Sequence, residues 1–255
     1  MIDLRPYTVA QWKCNETGGT LVADSSGNGH NGTSANAIVG VAGKIGGALS
    51  FNGTSDFVNT NNNFQSVFRD SFTISLWIKA NNWTPSINET LFGCLDDEGS
   101  GSNAVQITLG SFGQIFGVYE PAGGNDEIDV NVDIPGTNWL MVTLVIEKET
   151  ATSVKASIYA NAVAGDSLIS NNNIPMGDYD STTNPYIGWL DYPQGDALDK
   201  FNGLIDNVCI FNKALSTDEI AFLYNGGTGT ESLTDQTDSG TGVTMDDLFS
   251  EEWNW

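Results

Sequence analysis

The sequence predicts an all-β fold in which two antiparallel sheets pack as a jelly-roll sandwich, and three observations predict it. Apolar and polar residues alternate with a period of two in one segment after another. The connections between these segments are short runs of Gly, Asn and Ser. The 29 glycines and the 40% of hydrophobic residues come with a single short helical pattern, a composition of short strands and turns. At 255 residues the chain is long enough to bury one large β core.

In chain order, strands are expected near 7–13, 48–51 and 55–59. Phe72, Ile74, Leu76 and Ile78 then alternate with Thr73, Ser75, Trp77 and Lys79, which predicts a strand with one core face. Further strands are expected near 89–94, 104–109, 113–119 and 127–133. Leu140, Val142, Leu144 and Ile146 repeat the alternation, and 154–159 is expected to pair with them as a hairpin. Segments near 185–190 and 203–212 complete the series, with turns at 25–29, 61–63, 122–125 and 171–173. One helix is specified by Ser216 and Glu219, spaced as a capping box, with Leu215 stapling onto Ile220. Ile220, Leu223 and Tyr224 form its apolar stripe, the glycines after Asn225 stop it, and it is expected to pack over the sandwich edge.

The charge narrows the partners. Nine Lys and Arg face 32 Asp and Glu, a net charge of −23, which repels phosphate and argues against nucleic acid and anionic membranes. The longest apolar run, 139–146, is too short for membrane insertion. Cys14, Cys94 and Cys209 have no metal or disulfide spacing and read as three buried thiols. The first residues have no basic start followed by an apolar stretch, so no signal peptide is expected. After Lys213 no basic residue follows. The domain is therefore set at 1–227, and 228–255 reads as an acidic tail. The aromatics Phe249, Trp253 and Trp255 at its end suggest docking on a partner such as a neighbouring subunit, or on the tail's own domain.

Two motifs suggest chemistry. In 23–33, oxygen-bearing side chains at Asp24, Ser26 and Asn28 precede Gly29 and His30, as in the opening of a calcium loop. Ala35 stands where an EF-hand would carry its Glu, so a second carboxylate is needed. Asp206 shares parity with Leu204, Val208 and Ile210 and faces an apolar side, where an ionised carboxylate must be paired or metal-bound. A structural Ca2+ tie between Asp24 and Asp206, with Asn28 and the His30 carbonyl contributing, is favoured over simple acceptance of backbone N–H groups. The second motif is the 184–196 loop, where Tyr186, Trp189, Asp191 and Tyr192 mix aromatic faces with hydrogen-bonding groups, as sugar sites do. Trp83 is a weaker candidate. The same aromatics would also serve as core or rim.

Taken together, the segments 24–32, 43–53, 56–58, 71–79 and 201–220 resemble a laminin-G-like domain of the concanavalin A-like lectin/glucanase superfamily, in consistent order from about residue 7 to 227. The resemblance implies a two-sheet jelly roll, often with one structural calcium between the early Asp-rich loop and the closing strand. Because the superfamily also contains glycoside hydrolases, the 127–133 strand is tested for catalysis. Glu127 and Asp129 nearly reproduce a retaining-glucanase strand, but the acid/base position falls on Asn131 or Val132, and Asp133 is out of step. With His30 as the sole histidine, no nucleophilic triad forms either. The expected function is a non-enzymatic, calcium-stabilised recognition or adhesion module for a glycan or protein surface. It is expected on a virion, such as a phage particle, or outside the cell, after synthesis in a reducing cytoplasm. The alternatives are a virion decoration protein without ligand and a glucanase-like hydrolase.

Overall fold

Period-two alternation decides which way each strand faces, and the computed structural model shows two sheets closing over the apolar faces. It describes residues 1–36, 40–96, 103–121, 127–170, 176–191 and 199–235. The strands are β1 (Thr8–Trp12), β2 (Leu21–Val22), β3 (Gly32–Ser34), β4 (Gly40–Ala42), β5 (Gly47–Asn52), β6 (Val58–Asn59), β7 (Phe72–Ala80) and β8 (Glu89–Asp96). They continue with β9 (Asn103–Leu109), β10 (Gln114–Glu120), β11 (Ile128–Asp133), β12 (Leu140–Lys148), β13 (Val154–Ala160), β14 (Val163–Ser170), β15 (Tyr186–Ile187) and β16 (Asn202–Phe211). The first sheet runs β14-β13-β12-β7-β16-β5-β4, with β1 added on β16. The second runs β11-β10-β9-β8-β15-β6-β3-β2.

Phe72, Ile74, Leu76 and Ile78 of β7 face the core between the sheets, together with Leu140, Val142, Leu144 and Ile146 of β12. The β12–β13 hairpin forms as expected, with Leu144 opposite Ile158. All three cysteines are free and buried. Some segments depart from the pattern. The strand expected over 185–190 is only Tyr186–Ile187, because Gly188 turns the chain at φ 80° and a Cβ there would lie 2.5 Å from the Phe51 ring. The segment 163–170 was not expected as a strand, yet it forms β14 by pairing with β13 at the sheet edge. The expected turns at 122–125 and 171–173 lie outside the described residues.

The other side of β7 is not solvated. Trp77 is 2% exposed in a second apolar layer with Met141, Val145, Cys209 and Phe211. Helix α1 (Gln65–Phe68) is a single turn, and helix α2 (Thr217–Tyr224) closes this second layer. The Ser216–Glu219 capping box is present, and Tyr224 stacks on Trp77 at 5.8 Å. The helix thus covers the middle of the first sheet rather than its edge, because Trp77 and its neighbours on β12 and β16 offer apolar area there.

The chain beyond Gly227 continues into the domain. Leu4 donates its N–H to the Leu233 carbonyl at 2.6 Å, Asn207 donates its side-chain amide to the Thr230 carbonyl at 3.0 Å, and Lys13 pairs with Glu231 at 3.4 Å. Leu233 packs against the second apolar layer. Residues 228–235 are therefore a strap on the domain, not the start of a linker. Losing these contacts costs about 3 kcal/mol, so a chain ending at Gly227 is expected to melt about 6–12 °C below one ending at Asp235 in a calorimetric comparison. Equal melting temperatures would count against the strap.

Candidate functional site

Strand register carries one row of residues across the second sheet. Asp129 pairs with Val118, Val118 with Gln106, Gln106 with Gly93, Gly93 with Tyr186, Tyr186 with Asn59, and Asn59 with Thr33. Their chain neighbours Ile128, Val105, Phe92, Ile187 and Val58 point into the core, so the row faces outward. After Gly188 the chain lies over this outer face. Leu190 packs there with Leu95, Ala104 and Val118 in a small apolar cluster of its own.

Beside Leu190 three half-buried rings meet. Trp189 lies 4.6 Å from Phe57 and 4.9 Å from Tyr186, and Phe57 meets Tyr186 edge-on at 5.5 Å. The Tyr186 hydroxyl donates to Asp191 at 3.4 Å and accepts from the Asn59 amide at 3.4 Å. Asn184 donates to Asn59 at 3.2 Å. Burial, and then the Asp191 charge, raises the Tyr186 hydroxyl above its ordinary range, so it remains a donor at neutral pH. The Lys200 ammonium lies 4.2 Å over the Trp189 ring and 5.7 Å over Phe57. The sequence-predicted Tyr186, Trp189 and Asp191 thus come together, while Phe57, Asn59 and Lys200 join from segments that carry no local signal. Trp83 is elsewhere, its indole donating to the Thr137 carbonyl at 3.0 Å on the core rim. Tyr192 and the tail residues Phe249, Trp253 and Trp255 lie outside the described residues.

The residues expected to hold calcium have other partners. One Asp24 oxygen accepts from the amides of Gln11 and Ser26, and the other accepts from the Ser26 hydroxyl and the His30 amide, all at 2.8–3.0 Å. Burial opposes ionisation of Asp24, but these donors outweigh it and hold the carboxyl below its usual range. The His30 carbonyl accepts from the Trp12 indole at 2.8 Å, its ring meets Asn62 at 2.9 Å, and Asn28 donates its amide to the carbonyls of Thr8 and Val9. Asp206 is fully buried on β16 and takes the Ile45 amide on one oxygen at 2.8 Å, leaving the other without a partner. Burial pushes its carboxyl up to about 7, against the lowering by the Ile45 and Lys44 amides. A carboxylate has about four acceptor sites, and those of Asp24 are all taken. Each of the four residues thus has protein partners, while one Asp206 oxygen has none, and among the described residues no group of three or more His, Cys, Asp or Glu could hold a metal ion.

Just before β11 the carboxyl of Glu127 is raised by desolvation and by the charge of Asp129. Asn131, which has no proton to exchange, is tied to Asp166 at 2.6 Å, and Asp133 accepts from Gln114 at 2.8 Å.

The family model for laminin-G-type domains of the concanavalin A-like lectin/glucanases superfamily matches residues 51–221. The chain belongs to this superfamily. No curated protein sequence matches it. Among solved structures, the binding domain of botulinum neurotoxin DC in complex with rat synaptotagmin II is 19% identical with a TM-score of 0.64, over 87% of this chain and 52% of that one. The same neurotoxin domain in complex with SialylT is 18% identical with a TM-score of 0.59, over 84% and 52%. Domain 4 of AbnA, a GH43 extracellular arabinanase from Geobacillus stearothermophilus, in complex with arabinotriose, is 19% identical with a TM-score of 0.57, over 85% and 97%. The laminin-G-like chain therefore spans about half the length of the neurotoxin domains and nearly all of the arabinanase domain.

The buried Asp206 sets a pH dependence. A folded value of about 7 against an unfolded value of about 3.9 means that the folded protein keeps a proton which the unfolded chain releases. Its contribution is full below about pH 4 and is lost as pH rises through about 7. Asp206→Asn, which mimics the protonated acid, is expected to gain stability over the parent as pH rises from 5 to 8, by a few kcal/mol in urea titrations. A constant difference across that window would sink the assignment. Because the Asp24 oxygens are engaged, calcium and chelator are expected to leave the melting temperature unchanged. A rise of several degrees with calcium would show the loop rearranging around the ion.

Proposed function

We propose that the protein is a recognition module that binds a glycan, without cleaving it, on the outer face of the second sheet. The observation that carries this reading is the half-buried platform of Phe57, Tyr186 and Trp189 beside Asp191, Asn59 and Asn184. Aromatic faces take the C–H side of a sugar ring while neighbouring amides and carboxylates take its hydroxyls. The superfamily membership and the sugar ligands named for two of the similar solved structures support the reading. The acid/base position on β11, engaged by Asp166, supports binding without turnover.

A glycan array on the full-length protein tests this. At least one glycan class is expected to bind, and Tyr186→Ala or Trp189→Ala to weaken it about tenfold or more, with the fold retained by circular dichroism. Incubation with the bound glycan is expected to release no shorter products. Hydrolysis that disappears in Glu127→Gln would overturn the non-catalytic reading, and a protein receptor bound through the same two aromatics, with no glycan bound, would replace the glycan one.

A further inference from the structure

The platform also holds two donors that nothing in the described structure uses. Lys200 is 8% exposed, and its ammonium has no hydrogen bond or ion pair among the described residues; its neighbours are the ring faces of Trp189 and Phe57. The Trp189 indole N–H is buried and likewise has no acceptor. A ring face attracts a cation but supplies only a fraction of what water or a carboxylate gives an ammonium, on the order of 2 kcal/mol when desolvated. The Lys200 ammonium has no counter-charge of its own, and an unpaired buried N–H is costly. These donors are positioned by the fold and not by chance contact. Lys200 is registered beside Thr90 of β8, whose own N–H donates to the Asp199 carbonyl at 2.7 Å, and Trp189 follows the Gly188 turn.

We infer that the platform takes a sugar bearing a carboxylate, such as a uronic or sialic acid, with the carboxylate accepting from the Lys200 ammonium. This rests on the glycan reading of the same face. The ligand supplies the two things the site lacks, a negative charge and acceptor oxygens, while its ring has Tyr186 and Phe57 to lie against. Neutral sugars offer hydroxyl acceptors but leave the ammonium uncompensated. Long polyanions are disfavoured by the −23 net charge, so a sugar with one charge fits better than a strand of many.

Calorimetric titration of the full-length protein with galacturonate, glucuronate and N-acetylneuraminate, each beside its methyl ester, tests the inference. Esterification keeps the sugar's shape and removes the charge. At least one free acid is expected to bind about tenfold tighter than its ester, the scale of a hydrogen bond to a charged group. Lys200→Met is expected to erase that preference with the fold retained by circular dichroism, since it keeps the apolar stem against the rings. Lys200→Arg is expected to keep the preference and serves as the charged control should the Met variant fail to fold. Acid and ester binding alike, or a preference that survives in Lys200→Met, would overturn the inference while leaving the glycan reading intact. Binding of neutral oligosaccharides alone would do the same. No binding of any sugar on this panel or the array overturns both.

Discussion

The fold depends on one irregularity in β16. Its register with β7 slips between Asp206 and Cys209, where Asn207 takes a left-handed φ of 45°. Before the slip β16 pairs with β5, and after it with β1. A bulge bends a strand and frees side chains from the ladder, and here both freed side chains are used. Asp206 reaches the Ile45 amide in the turn before β5. The Asn207 side chain accepts from Gln11 of β1 at 3.0 Å and donates to Thr230 of the strap. Two residues therefore tie together an early turn, the first strand and the last described segment. The cost is a buried carboxyl with an oxygen left unpaired, at the point where β16 passes from one partner to the other on the same edge.

The two outer faces then meet different fates. That of the first sheet carries Trp77, Met141 and Phe211, enough apolar area to recruit α2, the N-terminal Leu4 and the strap. That of the second sheet alternates small and polar residues, Gly93, Gln106, Thr108 and Asn59, and the segment after Gly188 settles on it with only Leu190 as an apolar anchor. A face closed by a helix stabilises the sandwich. The face left polar, with aromatic rings at its side, is where a ligand has room to meet it.

The difference between the two faces also explains what was legible in the sequence. Core-facing alternation, the capping box and the buried thiols are local or depend only on a residue's own chemistry, and all were readable. The covering of Trp77 was not, since parity places it opposite the core and says nothing of a second layer. β14 carries no alternation and owes its strand conformation to β13. The Asp24 loop shows a different limit. Oxygen side chains at every second position followed by Gly describe a calcium loop and a hydrogen-bonded Asx turn equally well, and the Gln11 and His30 amides that reach Asp24 come from positions no local pattern encodes. Tyr186, Trp189 and Asp191 were visible as a cluster because they are neighbours in the chain. Phe57, Asn59 and Lys200 join them through pairing of β6 with β15 and through the bridge at Thr90, which no local pattern encodes.

The acidity of the chain bears most directly on Lys200. Of the nine basic side chains set among 32 carboxylates, Arg5, Lys13, Lys155 and Lys213 pair with an acid. Lys44 shows the intermediate case, its amine resting 4.9 Å over the Trp77 ring. Lys200 is the most enclosed of these cations and faces two rings instead of one. Asp191, a carboxylate of the platform, is engaged with the Tyr186 hydroxyl. Rings that hold a cation while excluding the protein's own anions leave its charge available to a ligand. In so negative a molecule that ligand must be small and carry little charge of its own beyond the one group the lysine neutralises.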